Sequence, residues 1–558
     1  MMASTIRSDR LLVSAEIANT IDEEAQLEWG FNIFALIEAA GRCCAEVFAK
    51  AFPKFFQNQN KPRVTIVAGT GNNGVDAMVM LRYWILAGLA EPSSSALVLN
   101  RLPKDGESSP RSELIKSLRK MKVRILIWDG DLGEAVGRAS DDVLAHSDII
   151  VDGIAGTGTK GALNGAALEM AQAVNTHRAK TRAACGQNPA RQIFVVSVDI
   201  PSGNSDSWEP EMPIIEADLT LAIEPLKACM YTPAARPYAG IILPVTGIFP
   251  QKIISRYDGT ELLDWEEMRE RIPTIRPDAY KNERGTVELW AGSPGFTGAA
   301  LIAARGAQAA GAGLVCLMAD DDIHPILASR SAGIMVFPAG KPGTAGFGEC
   351  GRPADAILLG PGWGVKPERT LVLERSLLLE KKGTPLILDA DAIELAHDKS
   401  FNGNVILTPH PGEFSKFSGV GKEKLLCCPT PILLKYARDR KAVILFKGHV
   451  LIIVAPDGRV GVVDGMTPAL ATGGSGDLLA GFCAAIAARM VQKCRPFDAY
   501  TCAAAAASLL IASGSSRGLR TRFCDPLELA GRAADLAGQA WLRTNHLNLQ
   551  KEDNSHER

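Results

Sequence analysis

No CxxC pair occurs among the twelve cysteines, and there are only eight histidines, so a structural zinc site has no ligand set to draw on. The neighbours Cys43/Cys44 and Cys427/Cys428 read as scattered thiols of a reducing compartment, not as a disulfide framework. No apolar h-region follows the start "MMASTIRSDR", so a secretory signal is not expected. The longest apolar stretches, "LLAGFCAAIAARMV" and "AYTCAAAAASLLIASG", are short for a membrane span and read as buried helices. An excess of one charge is missing too. The 60 basic and 62 acidic residues leave a formal charge of -2 and no sustained basic stripe, which argues against a nucleic-acid partner. The first-half loops that end the strands lack clustered carboxylates, which disfavours a two-metal site there. A cytoplasmic protein with small-molecule partners is expected.

What is present is an α/β rhythm, met twice. A chain of 558 residues is too long for one core. In the first half "PRVTIVAGTGNNG" reads as strand then loop, with "DAMVMLRYWILAG" as the following helix. "DIIVDGIAGTG" and "IFVVSVDIPSG" repeat the β-branched run that ends in glycine and polar residues. The stretch from Leu11 to Phe52 reads as two helices broken near Gly30, and "AVNTHRAKTRAACGQNPARQ" as an exposed loop. A charged, proline-marked segment within about 250–280 marks the domain junction. We therefore expect domains over 1–255 and 256–545 and a polar tail over 546–558. The second half carries "TVELWAGSPGFTG", "DAILLGPGWG", "PLILDADAIELA", "NVILTPHPGEF" and "AVILFKGHVLIIVA".

In a parallel sheet the loops after the strands converge on one rim. The first-half rim then gathers Asn72, Asn73 and Asp76, then Asp152 with Gly156, Thr157 and Gly158, then Asp199 and Ser202. Backbone amides of "GIAGTGTKG" with Lys160 suit a phosphate or pyrophosphate. Asp199, at a strand end before a proline turn, is placed for general-base work. Asn73, Asp152 and Ser202 are hard oxygen donors able to hold a cation, and spacing alone does not say which. Each loop taken singly also reads as plain turn or capping chemistry. "GTGNNG" is not a dinucleotide fingerprint, since the third glycine is out of register.

The order "LIEAAG", "VAGTGNNGVDA", "DGIAGTGTKG", "VDIPSG" resembles the NAD(P)H-hydrate epimerase family of the YjeF N-terminal type. The resemblance implies a Rossmann-like fold and interconversion of the R and S forms of NADH or NADPH hydrated at nicotinamide C6. It also implies that Asn72, Asn73, Gly74, Val75 and Asp76, with Gly156, Thr157, Gly158, Thr159, Lys160, Gly161 and Ala162, bind the hydrate. Asp199 would act on the damaged ring, and Asn73, Asp152 and Ser202 would hold potassium. The family usually reads NNGGDG, whereas Val75 and Ala77 replace two glycines here. If Val75 lies at positive φ or against the substrate, activity should fall.

In the second half "LATGGSGDLLAG" places Gly473, Gly474 and Gly476 ahead of an apolar helix, with Asp477 as a single acid. Amides at a helix N-terminus cradle phosphate charge, and Asp477 is placed to take a proton from a hydroxyl. An ordinary glycine turn capped by Asp477 is the plainer alternative. His410, between two prolines, reads as a substrate contact or a satisfied histidine, and Lys447 as a phosphate contact or a snorkelling side chain. The set "AGSPGFTGAALIAARGAQAAGAGLV", "LGPGWG", "LDADAIELA", "LTPHPGEF", "FKGH" and "TPALATGGSGDLLAG" resembles the ribokinase-like superfamily, specifically the ADP-dependent NAD(P)H-hydrate dehydratase family. Asp464 stands where the last motif usually has Asn. By that resemblance Ala299, Gly364, His410 and Asp477 contact the hydrate, while Lys447, Gly448, His449, Val450, Leu451 and Gly476 contact the nucleotide. Thr is common where Leu451 stands.

The implied chemistry is phosphorylation of the C6 hydroxyl by ADP, then loss of phosphate to give NAD(P)H, AMP and phosphate, with magnesium bridging the nucleotide phosphates. The partners expected are NADHX, NADPHX and ADP, and a homo-oligomer is expected. Two rivals stand beside this reading. A ribokinase-like small-molecule kinase would release a phosphorylated product. A dehydratase with a non-catalytic N-terminal binding module would leave the R hydrate untouched.

Overall fold

The computed structural model describes residues 6–57, 61–104, 106–128, 133–183, 192–276, 278–340, 353–493, 497–515 and 523–538; the expected polar tail lies outside them. The chain divides into two compact units, Met1–Glu261 and Leu262–Arg558.

The strands of the first unit are β1 (Leu11–Val13), β2 (Val64–Ala68), β3 (Ser95–Leu99), β4 (Arg124–Ile127), β5 (Ile149–Gly153), β6 (Phe194–Val198), β7 (Leu219–Ile223), β8 (Leu226–Lys227), β9 (Ile241–Val245) and, at the boundary, β10 (Thr260–Leu262). Seven of them form one sheet in the order β4-β3-β2-β5-β6-β7-β9, and every adjacent pair is parallel. The chain runs outward from β2 in one direction and from β5 in the other, so the strand order reverses between them. That reversal is the doubly wound Rossmann-like arrangement, and it opens a crevice at the carboxyl ends of β2 and β5. The pairing of Ala68 with Gly153 and of Asp152 with Ser197 sets those ends side by side. Strands buried on both faces need continuous apolar runs, and "VTIVA" and "IIV" supply them.

Helices Ala15–Leu27 and Ile33–Ala51 flank Gly30, whose φ of 68° is left-handed. Ser14 and Asn32 cap them, accepting from the amides of Ile17 and Phe34. Two local expectations need correction. Leu11–Val13 is a strand, not helix: Leu11 and Leu12 pair with Glu261 and Thr260, because Ser14 caps the helix only after the apolar run has ended. Residues 173–183 are the second half of helix Gly165–Ala183, not an exposed loop. The helix turns a stripe of Met170, Ala171, Val174, His177 and Arg178 inward, in which Arg178 reaches Glu216 and Asp218. Residues 184–191 lie outside the described residues.

The second unit contains β11 (Thr286–Trp290), β12 (Leu314–Ala319), β13 (Met335–Pro338), β14 (Ala356–Leu359), β15 (Leu386–Leu388), β16 (Val405–Leu407), β17 (Val443–Phe446), β18 (Val450–Val454) and β19 (Val460–Asp464). Their order is β13-β12-β11-β14-β15-β16-β17-β18-β19. The pairs are parallel as far as β17 and antiparallel beyond it. The two alanine-rich stretches form helices Ser475–Lys493 and Ala499–Ser515, buried along most of their length. Among the described residues no helix is long and apolar enough to cross a membrane.

Small residues let helix Thr297–Ala309 touch helix Ser475–Lys493 backbone to backbone. A Cβ added at Gly481 would lie 2.1 Å from the carbonyl oxygen of Ala303, and one at Gly306 would lie 2.6 Å from that of Leu478. Helix Thr297–Ala309 is thereby pressed onto the helix that carries Asp477. Gly481→Val should destabilise the second unit by about 1–3 kcal/mol or more through overpacking. Gly531→Ala, where the added methyl meets nothing within 4 Å, should leave the melting temperature unchanged or slightly raised. Thermal unfolding of the two variants beside wild type checks both expectations.

Candidate active sites

In the first unit Asp199 follows the last residue of β6 at a φ of 67°, an unfavourable region for a non-glycine residue. Three contacts fix it there. Its amide donates to the carbonyl of Leu221, and its Oδ1 accepts from the Ile223 amide at 3.2 Å and from Lys227 Nζ at 2.5 Å. The Lys227 amine also donates to the Ile223 carbonyl at 2.8 Å, and both members of the pair are buried. Asp76, one turn into helix Asn72–Leu86, is buried nearby with its Oδ1 unpartnered among the described residues. Burial first, then the charge of Asp199, pushes its pKa well above the ordinary aspartate value.

Two adjoining cavities open on this rim and share Asn19, Asn72, Asn73 and Thr157. The inner one, about 110 Å³, is lined by Asp76, Asp199 and Lys227. The outer one, about 530 Å³, is lined by Gly74, Gly156, Thr157, Gly158, Thr159, Lys160 and Ala162. Gly161 sits beside them at a φ of 76°. The loop approaches the helix start closely: a Cβ on Gly156 would come within 2.2 Å of Asn73 Oδ1. Small inner chamber, large amide-lined outer chamber: the pair suits a reacting ring with a phosphate-bearing tail.

Val75 and Ala77 lie elsewhere. Both are buried core residues of helix Asn72–Leu86, neither has a positive φ, and neither lines either cavity. The structure thus sets Val75 apart from the other residues of its predicted loop.

Asp152 is fully buried and accepts from Ser197 Oγ, the Ser202 amide, Ser202 Oγ and the Ile154 amide. Among the described residues no basic side chain pairs with it. Burial raises its pKa, and these hydrogen bonds oppose the rise. Ser202 Oγ also accepts from the Ala155 amide at 2.9 Å, and Asn73 Nδ2 donates to the Val198 carbonyl at 2.9 Å, so the Asn73 Oδ1 stays on the loop side. A carboxylate buried without a countercharge, among neutral oxygens, fits a large monovalent cation better than a divalent one. Among the described residues no cluster of three His, Cys, Asp or Glu side chains is placed to hold a metal.

In the second unit Lys447 is the centre. Its Nζ lies 2.7 Å from Asp389 Oδ1 and 3.8 Å from Glu413 Oε2. Asp389, buried past the end of β15, also accepts from Thr408 Oγ1 at 2.7 Å. Burial works against the charge on Lys447, but Asp389 and Glu413 outweigh it and raise its pKa above the ordinary lysine value. Asp477 sits in the first turn of helix Ser475–Lys493. Its pKa is pushed up to about 7, by burial first and then by Asp389, with Lys447 pulling the other way. A cavity of about 440 Å³ is lined by His410, Lys447, Gly448, His449, Leu451 and Gly476, while Val450 is buried in its strand. Gly476 gives close access to the lysine: a Cβ there would lie 3.5 Å from Lys447 Nζ.

His410 caps helix Pro411–Ser418, its Nδ1 accepting from the amides of Gly412 and Glu413 at 3.0 and 3.2 Å. Those bonds leave Nε2 as the protonated nitrogen of the neutral ring. Gly364, at a φ of 75°, donates its amide to Asp391 Oδ2 at 2.7 Å, two residues beyond Asp389. Ala299 reaches the same glycine loop, since a Cβ on Gly362 would lie 2.8 Å from the Ala299 methyl. Neither Gly364 nor Ala299 lines the 440 Å³ cavity, so the structure keeps these two apart from the predicted nucleotide contacts.

Known proteins carry both halves. Residues 34–229 match the family model "YjeF-related protein N-terminus", and residues 287–522 match "NAD(P)H-hydrate dehydratase". A bifunctional NAD(P)H-hydrate repair enzyme of Moorella thermoacetica is 31% identical over 492 residues, covering 85% of this chain and 88% of that one. This chain belongs to the bifunctional NAD(P)H-hydrate repair enzyme family. The Escherichia coli member is 26% identical over 516 residues, covering 89% of each chain. A Bacillus subtilis ADP/ATP-dependent NAD(P)H-hydrate dehydratase, co-crystallized with ATP/Mg2+, is 26% identical over 50% of this chain and 98% of its own, with a TM-score of 0.42. The first unit is thus a Rossmann-like domain of the YjeF N-terminal type and the second an α/β domain of the ribokinase-like type.

Sequence reasoning missed Lys227, Asp389, Thr408 and Glu413. The signal for Lys227 was its place four residues beyond the apolar strand "LTLAI", near the strand-end positions that singled out Asp152 and Asp199. Removing it should be costly. Lys227→Met leaves Asp199 buried without its partner and should cost about 3–5 kcal/mol, and adding Asp199→Asn to that variant should restore much of the loss. Urea unfolding of both single variants and the double variant, with fluorescence reporting on the first unit's tryptophans, measures the coupling.

Proposed function

We infer that this family member repairs nicotinamide cofactors hydrated at C6, using its first unit to interconvert the R and S hydrates and its second to dehydrate the S form with ADP. The observation that carries the reading is the pairing at each rim of a lysine, Lys227 buried and Lys447 partly buried, with a buried aspartate, beside a chamber walled by glycine-rich backbone. In the second unit Asp477 takes the proton of the C6 hydroxyl as that oxygen attacks the terminal phosphoryl group of ADP. Lys447 and the amides at Gly476 meet the charge that develops on the phosphoryl oxygens. Phosphate then leaves as the nicotinamide ring regains its conjugation. Magnesium, when bound, neutralises phosphate charge. With no preformed carboxylate cage among the described residues, it would be held chiefly by the nucleotide.

In the first unit Asp199 acts as base at the hydrated ring, and the loop from Gly156 to Ala162 with Lys160 holds the pyrophosphate. Asn73, Asp152 and Ser202 would hold potassium, which would balance the buried Asp152 charge. The reading places the protein in the cytoplasm with its cofactor substrates.

A base must be ionised to accept a proton, so dehydration of the S hydrate should rise with pH through about 7, where Asp477 titrates. Asp477→Asn should cut turnover by ~10²–10⁴. It should also melt higher than wild type at pH 8, because the raised pKa means that ionising Asp477 in the folded state opposes folding above its unfolded value. Near wild-type turnover in that variant would remove Asp477 from the mechanism, and release of a phosphorylated product would favour the kinase reading.

Asp199→Ala tests the other unit. Given mixed R and S hydrates and ADP, the variant should show a fast phase for S followed by a slow phase for R at the uncatalysed epimerisation rate. Recovery of NADH absorbance follows both. The same slow phase in wild type would mean that the first unit binds without catalysing.

A further inference from the structure

The inner chamber of the first unit is lined by four carboxylates, Asp22, Asp76, Asp199 and Glu224, and by one cation, Lys227. Three of the acids are partnered or partly exposed. Asp199 holds Lys227 Nζ at 2.5 Å and the Ile223 amide. Glu224 accepts from the amides of Ile248 and Phe249 at 2.7 and 3.1 Å. Asp22 is partly exposed, and its backbone carbonyl accepts from Gln26 Nε2 at 3.3 Å. Asp76 differs: it is only 5% exposed, and its Oδ1 is buried with no hydrogen-bond partner among the described residues. Helix Ile33–Ala51 closes over it, so near that a Cβ on Gly41 would stand 2.7 Å from the Asp76 carbonyl oxygen. With one cation shared by the chamber and already committed to Asp199, the second buried acid is most stable with its proton on. A protonated carboxyl is a donor as well as an acceptor.

The hydrated ring has its own requirement. Its C6 carries both a hydroxyl and N1, which makes it a carbinolamine. Inverting that carbon while it keeps its own oxygen needs the C6–N1 bond to open and close again.

We propose that Asp76 is the proton donor of this epimerisation, acting on N1 while Asp199, paired with Lys227, takes the proton of the C6 hydroxyl. The proposal rests on the epimerase reading above. Asp199 removes the hydroxyl proton, and the O–H electron pair becomes the second bond of an aldehyde. The C6–N1 pair moves onto nitrogen, conjugated with the C2=C3 carboxamide, and Asp76 delivers its proton there. Rotation about C5–C6 presents the other aldehyde face. N1 then returns its proton to Asp76 and attacks C6, while Asp199 returns its proton to the oxygen. Nothing is oxidised or reduced, and both acids end as they began. Lys227 is a positioning residue: it keeps the base role on Asp199 and leaves the acid role to Asp76.

The test uses the full chain with purified R hydrate of NADH and no ADP, the R and S forms being resolved chromatographically. Asp76→Asn keeps the shape of the side chain but has no acidic proton. Its kcat for R-to-S conversion should fall by ~10²–10⁴ with KM close to wild type. Run in D2O, the wild-type reaction should leave C5 free of deuterium, because ring opening breaks no C5–H bond, whereas full dehydration to NADH followed by rehydration would deuterate C5. Conversion by Asp76→Asn near the wild-type rate overturns the proposal, as does a loss confined to KM. Deuterium at C5 in the wild-type product overturns it without recourse to any variant. A wild-type chain inert toward the R hydrate removes the epimerase reading itself, and is told apart because the variant then has no rate to lose.

Discussion

One lysine is held against one buried aspartate at the rim of each sheet, and each rim keeps a further aspartate with no ion-pair partner among the described residues. Lys227 goes to Asp199 in the first unit and Lys447 to Asp389 in the second. The acids left over, Asp76 and Asp477, are those whose pKa rises most among their rim neighbours, in both cases through burial first and the nearby charged aspartate second. A buried ion pair contributes little net stability, but it fixes which group is charged. The chemistry of each site follows from that allocation.

The allocation depends on topology. Asp199 and Asp389 stand immediately past β6 and β15, where parallel strands deliver their ends to one rim. Both places demand unusual backbone: Asp199 has a φ of 67°, and Ala390, next to Asp389, has a φ of 45°. A non-glycine residue in the left-handed region costs of order 1 kcal/mol or more, and such residues persist where surrounding contacts over-determine them. The Leu221 carbonyl and the Ile223 amide hold Asp199, and the Leu359 carbonyl accepts from the Asp389 amide. The sheet edges therefore stabilise what the loops alone would relax.

The sheets, and the glycine loops that end their strands, were legible because β-branched runs followed by Gly, Asn or Asp carry a local signal. Asp152, Asp199 and Asp477 stood out for the same reason. Lys227, Asp389, Thr408 and Glu413 did not, since their importance lies in pairings that cross 28 and 58 residues of chain, Lys227 to Asp199 and Lys447 to Asp389. Helix Gly165–Ala183 was hidden because its inward stripe uses His177 and Arg178, whose burial depends on partners at Asp141, Glu216 and Asp218. His410 was read as a ligand or a satisfied core residue. It is a half-exposed helix cap whose Nδ1 accepts two backbone amides and whose Nε2 lies 3.4 Å from Glu413 Oε1.

Departures from a family motif weigh differently once their direction is known. Val75 and Ala77 replace two glycines of a substrate loop, yet both point into the core of helix Asn72–Leu86. The positions where close approach is physically required, Gly74, Gly153 and Gly156, remain glycine, with an added Cβ meeting backbone or Asn73 at 3.0, 2.7 and 2.2 Å. A methyl or isopropyl group on the inward face of that helix adds apolar burial without entering the chamber. The substitutions therefore bear on how firmly the helix is seated, and so on how rigidly Asn73 and Asp76 are presented. They do not narrow the space left for a substrate.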